Sequence, residues 1–164
     1  MAETAAPPRP AGSLDRGPGY DDDFVLWTER QAALIRAGRF DLVDWENVAG
    51  EIDSLGSGNR RQLGNRLDVL VRHLLKWQFQ PAARSGSWRG SIRTQRGRIL
   101  RLLQQSPSLR QHVASEAADG YARAAATAAD ETSLPLDQFP STCPYSAEEL
   151  LDEAFFSGPI GEEC

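Results

Sequence analysis

The side chains best suited to metal or acid–base chemistry in this sequence are Glu51, Asp53 and His73. Inward-facing carboxylates and histidines build the metal sites of helical bundles. The spacing argues against such a site, because residues two apart on a helix project about 200° apart and Glu51 and Asp53 therefore flank opposite sides of the apolar face. The sequence has only two histidines and none of the spacings H-x-x-x-H, H-E-x-x-H or E-x-x-H. We expect neither a metal nor a cofactor.

His73 has a simpler interpretation as a histidine at the edge of the core. A histidine in that position is commonly bonded to a carboxylate. Glu51 is the preferred acidic partner for His73 or for one of the arginines, because it lies at the edge of the buried arc of its own predicted helix. The sequence therefore predicts a polar pair of Glu51 and His73.

Nucleophilic and phosphate-binding motifs are absent from the sequence. It contains no G-x-S-x-G elbow, no G-x-x-x-x-G-K-[ST] loop and no G-x-G-x-x-G fingerprint, and neither Cys143 nor Cys164 has a histidine near it in sequence. No strand is predicted before the segment 56–58, Gly-Ser-Gly, so we interpret it as a helix junction. The sequence favours a protein that is not an enzyme, and a hydrolase or ligand-binding pocket near His73 is the weakest alternative.

Arg89, Arg93 and Arg96 form the one suggestive surface. They lie within about 60° of one another on a predicted helix, and Trp77 and Trp88 bracket the turn before it. Arginines beside exposed aromatic side chains are how many proteins bind single-stranded nucleic acid. Both tryptophans lie on apolar arcs, however, and the isoelectric point near 5.1 is not that of a nucleic-acid-binding domain. A solvated or internally paired face is favoured, with nucleic acid as an alternative partner.

Charge is strongly segregated along the chain. Residues 57–112 contain twelve basic residues and one acid, so they carry +11, whereas the remainder has six basic and twenty-two acidic residues and carries −16. Such a split indicates either an interaction surface or oppositely charged parts that neutralise each other in the fold. We expect the second, within one molecule or across an oligomer, with acids of the first two helices facing the basic middle.

Helical periodicity predicts the elements that position these residues. The first predicted helix is capped by Asp21 or Asp22 and ends at Gly38, and the second is capped by Asp44 and ends near Gly56. A central helix follows from Gly58 to Gln80, and the fourth helix is capped by Ser87. The fifth starts at Ser106-Pro107 and reaches Ala129, and a Ser146–Glu149 capping box opens a short last helix. The central helix has the widest apolar arc, which comprises Leu63, Leu67, Leu70, Leu74 and Trp77. The first two helices each show an apolar stripe that we expect to cover it; the stripes are Phe24, Trp27, Leu34 and Ile35, and Trp45, Val48, Ala49, Ile52 and Leu55.

Many ordered signatures in this sequence resemble those of the bacterial domain of unknown function 29 family. The signatures are Asp23-Phe24, Trp27, Gly38-Arg39-Phe40, Glu51-Ile52, Leu55-Gly56, His73-Leu74-Leu75-Lys76-Trp77-Gln78, Ser87-Trp88, Ile92, Gln95-Arg96, Ser106-Pro107-Ser108-Leu109, Phe139-Pro140 and Cys143-Pro144-Tyr145. The resemblance covers residues 20–157. It implies a small, soluble, all-helical bacterial protein and no particular activity.

These observations predict an all-α, compact, single-domain helical bundle of five main helices plus a short C-terminal helix. The domain spans residues 20–157, between a disordered arm, residues 1–19, and a flexible tail, residues 158–164. The predicted function is a non-enzymatic interaction or regulatory module whose partner is another protein or a second copy of the chain. Because the sequence shows no secretory signal and no apolar run of about 18 residues, we expect a cytoplasmic protein without a membrane partner.

Overall fold

The computed structural model describes residues 17–156, which are helical and contain no strand. The helices are α1 (Phe24–Arg36), α2 (Trp45–Phe79), α3 (Gly86–Gln105), α4 (Val113–Thr132) and the short α5 (Ala147–Leu151). Short 3₁₀ turns occupy Phe40–Leu42, Pro81–Ala83, Pro107–His112 and Leu136–Gln138. The predicted all-α class is confirmed. Most of the predicted N-terminal arm and the whole predicted tail lie outside the described residues.

The predicted junction at residues 56–58 is wrong. Helix α2 runs without a break from Trp45 to Phe79, so it joins the second and third predicted helices into one, and the described chain has four long helices rather than five. Each glycine costs about 1 kcal/mol in a helix interior, which lowers helix stability without forcing the helix to end. No residue from Ile52 to Gln62 is buried, so this stretch of α2 receives little support from apolar packing.

Side-chain caps set the helix ends at positions close to those predicted. Asp23, rather than Asp21 or Asp22, caps α1 by accepting from the backbone N–H of Leu26 at 3.0 Å. Ser85, rather than Ser87, caps α3. After α1, Gly38 has a φ of +69°, a left-handed conformation that glycine adopts without steric cost. The capping box of Ser146 and Glu149 is confirmed.

Packing contacts group the chain into two compact units, a first unit that ends at Leu55 and a second that begins at Gly56. The second unit contains a large apolar core, to which α2 contributes all five residues predicted for the central helix. Helix α4 packs on this core through small side chains such as Ala117, Ala124 and Ala128. Among residues 17–156 no helix combines the length and apolarity needed to cross a membrane.

Acids of α4 neutralise part of the basic middle within the second unit. Lys76 Nζ lies 2.6 Å from Glu131 Oε2, and Arg72 Nη1 lies 3.2 Å from the other oxygen of the same carboxylate. Arg60 pairs with Glu116 at 2.5 Å. Basic and acidic segments therefore do meet inside the molecule, but these counter-charges come from α4 and not from the first two helices as the sequence predicted.

Candidate functional site

The first unit has a very small core. Among its described residues only Trp27, Gln31 and Val43 are buried. Asp44 links α1 to the start of α2, because its backbone N–H donates to Gln31 Oε1 at 2.9 Å and its Oδ2 accepts from the indole of Trp27 at 3.3 Å. The Asp44 carboxylate also accepts from Asn47, which lowers the pKa of Asp44. These polar contacts, rather than extensive apolar burial, hold the first unit together.

Large apolar side chains are exposed almost exclusively in the first unit. Of the ten such residues among 17–156, nine lie between Phe24 and Leu55, and the tenth is Leu136. The nine are Phe24, Val25, Leu26, Ile35, Phe40, Leu42, Trp45, Ile52 and Leu55. The sequence predicted that the apolar stripes of the first two helices would be buried. That prediction is wrong for most of the residues in those stripes, because they are exposed.

Three of these exposed side chains share one side of α2. Trp45, Ile52 and Leu55 lie within about 80° of one another on the helix and are 52%, 63% and 71% exposed. Phe40, 56% exposed, extends this surface, since its ring lies 6.2 Å from that of Trp45. We refer to Phe40, Trp45, Ile52 and Leu55 as the Trp45 face.

A second aromatic cluster braces α1 within the first unit. The ring of Tyr20 lies 5.7 Å from that of Phe24 and 4.9 Å from that of Trp27, both in edge-to-face geometry. The Tyr20 hydroxyl donates to Glu51 Oε1 at 2.5 Å, and this bond to a carboxylate raises the pKa of Tyr20. Glu51 therefore connects α2 to the segment that precedes α1.

The first unit is also acidic. Its described residues, 17–55, contain nine acids and three arginines, a net charge of −6. Some of these charges serve the fold, since Asp23 caps α1 and Arg39 pairs with Asp41 at 3.6 Å. Glu46 and Asp53 are exposed on α2. An apolar surface within a negatively charged unit is suited to a positively charged partner.

The three predicted surface arginines have unequal roles. Arg96 is buried and donates through Nε to the carbonyl oxygen of Leu150 at 2.9 Å, so it anchors α5. Arg89 lies over the ring of Trp77, and Arg93 over the ring of Phe156. The expectation of one uniform arginine surface is therefore wrong for Arg96, because α5 covers it.

Both tryptophans near these arginines belong to the packing of the second unit. Trp77 is buried, and Trp88 is partly buried against the core. The ammonium group of Lys76 lies 4.5 Å from the centre of the Trp88 ring. Neither indole is presented to solvent as a platform for bases, so the core interpretation of the tryptophans is confirmed.

Glu51 and His73 have different partners. Glu51 accepts from Tyr20, as described above, whereas His73 Nδ1 lies 2.8 Å from the carbonyl oxygen of Val69, one turn earlier on α2. Burial lowers the pKa of His73, and the nearby charges of Lys76 and Arg72 act in the same direction. The predicted hydrogen-bonded pair is not formed, because the two helices to which the sequence assigned these residues are one continuous helix.

The remaining candidates for chemistry do not converge in the described chain. Among residues 17–156 no group of three or more His, Cys, Asp or Glu side chains could hold a metal ion. Burial raises the pKa of Cys143, which disfavours its thiolate form, and Cys164 lies outside the described residues.

Comparison with known proteins places the chain in a family. Residues 20–156 match the family described as "Domain of unknown function DUF29". The chain belongs to this DUF29 family. No curated protein and no solved structure matches the sequence.

Sequence reasoning missed the Trp45 face of the DUF29 chain, although the residues themselves gave a signal. The apolar spacing of Trp45, Ile52 and Leu55 was correctly recognised, but periodicity reports that a helix has an apolar side and not what covers that side. The weak helix formers at 56–58, directly after this stripe, are the feature that marks the end of the first unit.

Proposed function

We propose that this DUF29 protein is a non-enzymatic docking module whose first unit binds a basic, amphipathic helix of another protein. The observation that carries the proposal is the concentration of exposed apolar side chains in the first unit. Contiguous apolar surface on a soluble protein commonly marks an interaction site. The Trp45 face is the centre of the proposed surface.

The shape of the face supports a helical ligand. Trp45, Ile52 and Leu55 share one side of α2, and the partly exposed Val48 fills the turn between Trp45 and Ile52. A partner helix with apolar residues at i, i+3, i+4 and i+7 presents a stripe of the same periodicity, as in helix-in-groove recognition. The aromatic rings of Phe40 and Trp45 supply large contact areas with few rotatable bonds, as is typical of interaction hot spots.

Charge supports a basic partner rather than a second copy of this chain. Self-association through this face would bring together two units whose described residues each carry a net charge of −6, which is unfavourable. The second unit offers little apolar surface in return, because Leu136 is the one large apolar side chain exposed among its described residues. A helix with lysine or arginine beside its apolar stripe satisfies both the apolar and the acidic features of the first unit.

Two idealised peptides of about 18 residues, long enough to form a helix on binding, test the proposal. Both carry the same leucine stripe, but the polar positions are lysine in one and glutamate in the other. Binding is measured by fluorescence anisotropy with the full chain and with two variants, Ile52→Ser/Leu55→Ser and the control Leu136→Ser. Each of these side chains is more than half exposed, so the substitutions preserve the fold, which circular dichroism verifies.

We expect the lysine peptide to bind the unmodified chain and the Leu136→Ser variant equally well. The double variant should bind it at least about tenfold more weakly, because burial of two large apolar side chains is lost. Stronger binding of the glutamate peptide, or unchanged binding by the double variant, would contradict the proposal. Dimerisation of the chain through the Trp45 face, seen as a mass that falls to monomer in the double variant, would replace the external partner with a second copy.

A further inference from the structure

A cleft between α2 and α3, entirely within the second unit, contains a cluster of arginines for which the described residues supply no ion pair. It has a volume of about 440 Å³ and is lined by Gln62 and Arg66 from α2 and by Arg98, Arg101, Leu102 and Gln105 from α3. This cleft is separate from the flank of Arg89, Arg93 and Arg96. It has no part in the docking function proposed for the first unit, so either inference can fail without the other.

The electrostatics of the cleft favour an anion. Among the described residues, three guanidinium groups line it and no carboxylate does. The acids that form ion pairs in the second unit are engaged elsewhere, with Glu131 on Lys76 and Arg72, Glu116 on Arg60, and Asp68 on Arg123. Like charges gathered in one cleft repel one another, and a bound anion relieves that repulsion.

The spacing of the lining residues suits several oxygens at once. Arg98 and Arg101 lie one turn apart on α3, and Gln62 and Arg66 lie one turn apart on α2, so donors converge from both walls. Arginine binds phosphate oxygens bidentately, and glutamine amides add single N–H donors. The carbonyl end of α3 lies at Gln105 and carries about half a negative charge, which disfavours an anion. The positive charges of the three arginines outweigh this effect.

We propose that this cleft binds the polyphosphate chain of a small molecule, such as a nucleoside triphosphate or inorganic tripolyphosphate. Within residues 17–156 no aromatic side chain lines the cleft for a base to stack on, so the phosphates are the groups recognised. A long nucleic-acid backbone is less favoured, because three basic residues that could extend the track are engaged: Arg60 and Arg72 in ion pairs and Arg96 under α5.

Isothermal titration of the full chain with tripolyphosphate, ATP and adenosine tests this site, in low salt and without divalent cations. The test variant is Arg98→Gln/Arg101→Gln. The control is Arg61→Gln/Arg110→Gln, which removes the same charge at exposed positions outside the cleft. All four arginines are exposed, so the variants should fold, and circular dichroism checks that they do.

We expect tripolyphosphate and ATP to bind with similar affinity, adenosine not to bind, and the test variant to bind at least about tenfold more weakly than the control. The proposal is overturned if neither phosphate compound binds, if adenosine binds, or if both variants lose affinity equally. Binding of an oligothymidylate much more tightly than tripolyphosphate, with loss in the test variant, would also overturn it and indicate a nucleic-acid site.

Discussion

The indole N–H of Trp45 donates to the carbonyl oxygen of Phe40 at 3.1 Å, while the rings of both residues stay about half exposed. This bond joins the turn after α1 to the first residue of α2. It restricts the rotation of the indole without covering its apolar ring. A side chain fixed before binding loses less conformational entropy on docking, which favours Trp45 as the centre of an interaction surface.

The unburied stretch of α2 predicts a stabilising substitution. Gly56→Ala introduces a Cβ that meets no atom within 4 Å, so the substitution raises the stability of the helix without causing a clash. We expect this stretch of α2 to become more stable by ~0.5–1 kcal/mol, seen as slower amide hydrogen exchange in residues 52–62. The control is Gly64→Ala, whose Cβ would lie 2.8 Å from Glu116 Oε2, an atom of a carboxylate already held by Arg60. If Gly56→Ala and Gly64→Ala changed the amide exchange equally, this prediction for α2 would be wrong.

Glu131 is predicted to stabilise the second unit through Lys76. The Lys76 side chain is only 8% exposed, so Glu131→Gln leaves a largely buried ammonium group without its carboxylate. We expect a loss of roughly 1–3 kcal/mol in urea unfolding at neutral pH, against almost none for Glu29→Gln, an exposed acid of α1. A loss no larger than that of the control would show that the pair contributes nothing.

The same carboxylate predicts a pH dependence of stability. Burial alone would raise the pKa of Glu131, but its hydrogen bond to Lys76 and the charges of Arg72, Lys76 and His73 outweigh burial and lower it below 4.5. The stabilising contribution is therefore complete above pH 4.5 and is lost as the pH falls through the lower pKa of the folded state. Unfolding free energies measured over this acidic range should fall less steeply for Glu131→Gln than for the unmodified chain. If the unfolding free energies of both proteins fell equally steeply with pH, the assignment of this pH dependence to Glu131 would be wrong.

Arg96 and Arg93 should differ sharply although they lie one turn apart on α3. Arg96→Met removes the donors to the carbonyl oxygens of Leu150 and Glu149 and releases α5, so we expect a loss of about 2–4 kcal/mol in urea unfolding. Arg93→Met removes an exposed side chain and should cost less than ~1 kcal/mol. Similar losses in both variants would restore the prediction of a uniform arginine surface.

Local patterns predicted the helical class and much of the core, because these depend on neighbours in sequence. The five apolar residues predicted for the central helix are all buried, and the Ser146 capping box forms as expected. Besides the local errors at the 56–58 junction and at two helix caps, the errors concern long-range contacts. No spacing rule indicates that Arg96 meets the carbonyl of a residue 54 positions later.

The candidate surfaces were harder to predict than the fold. The sequence identified the stripe of Trp45, Ile52 and Leu55 but assigned it to the core, because an apolar stripe looks the same whether or not another element covers it. The arginine cleft was missed because Arg66 lies 32 positions before Arg98, and only the packing of α2 beside α3 brings the two onto one cleft. Charge segregation gave a signal for this cleft, but it did not show which basic residues would lack an acidic partner.

Hydrogen exchange of the full chain, with and without a saturating amount of the lysine peptide, tests the docking account most directly. Amides of an uncovered helix exchange through local opening, and a bound partner suppresses that opening. We predict slower exchange in residues 40–55 on peptide binding, with no change in the core amides of α3 and α4. Slower exchange confined to the second unit, or none anywhere, would contradict the assignment of the Trp45 face as the docking surface.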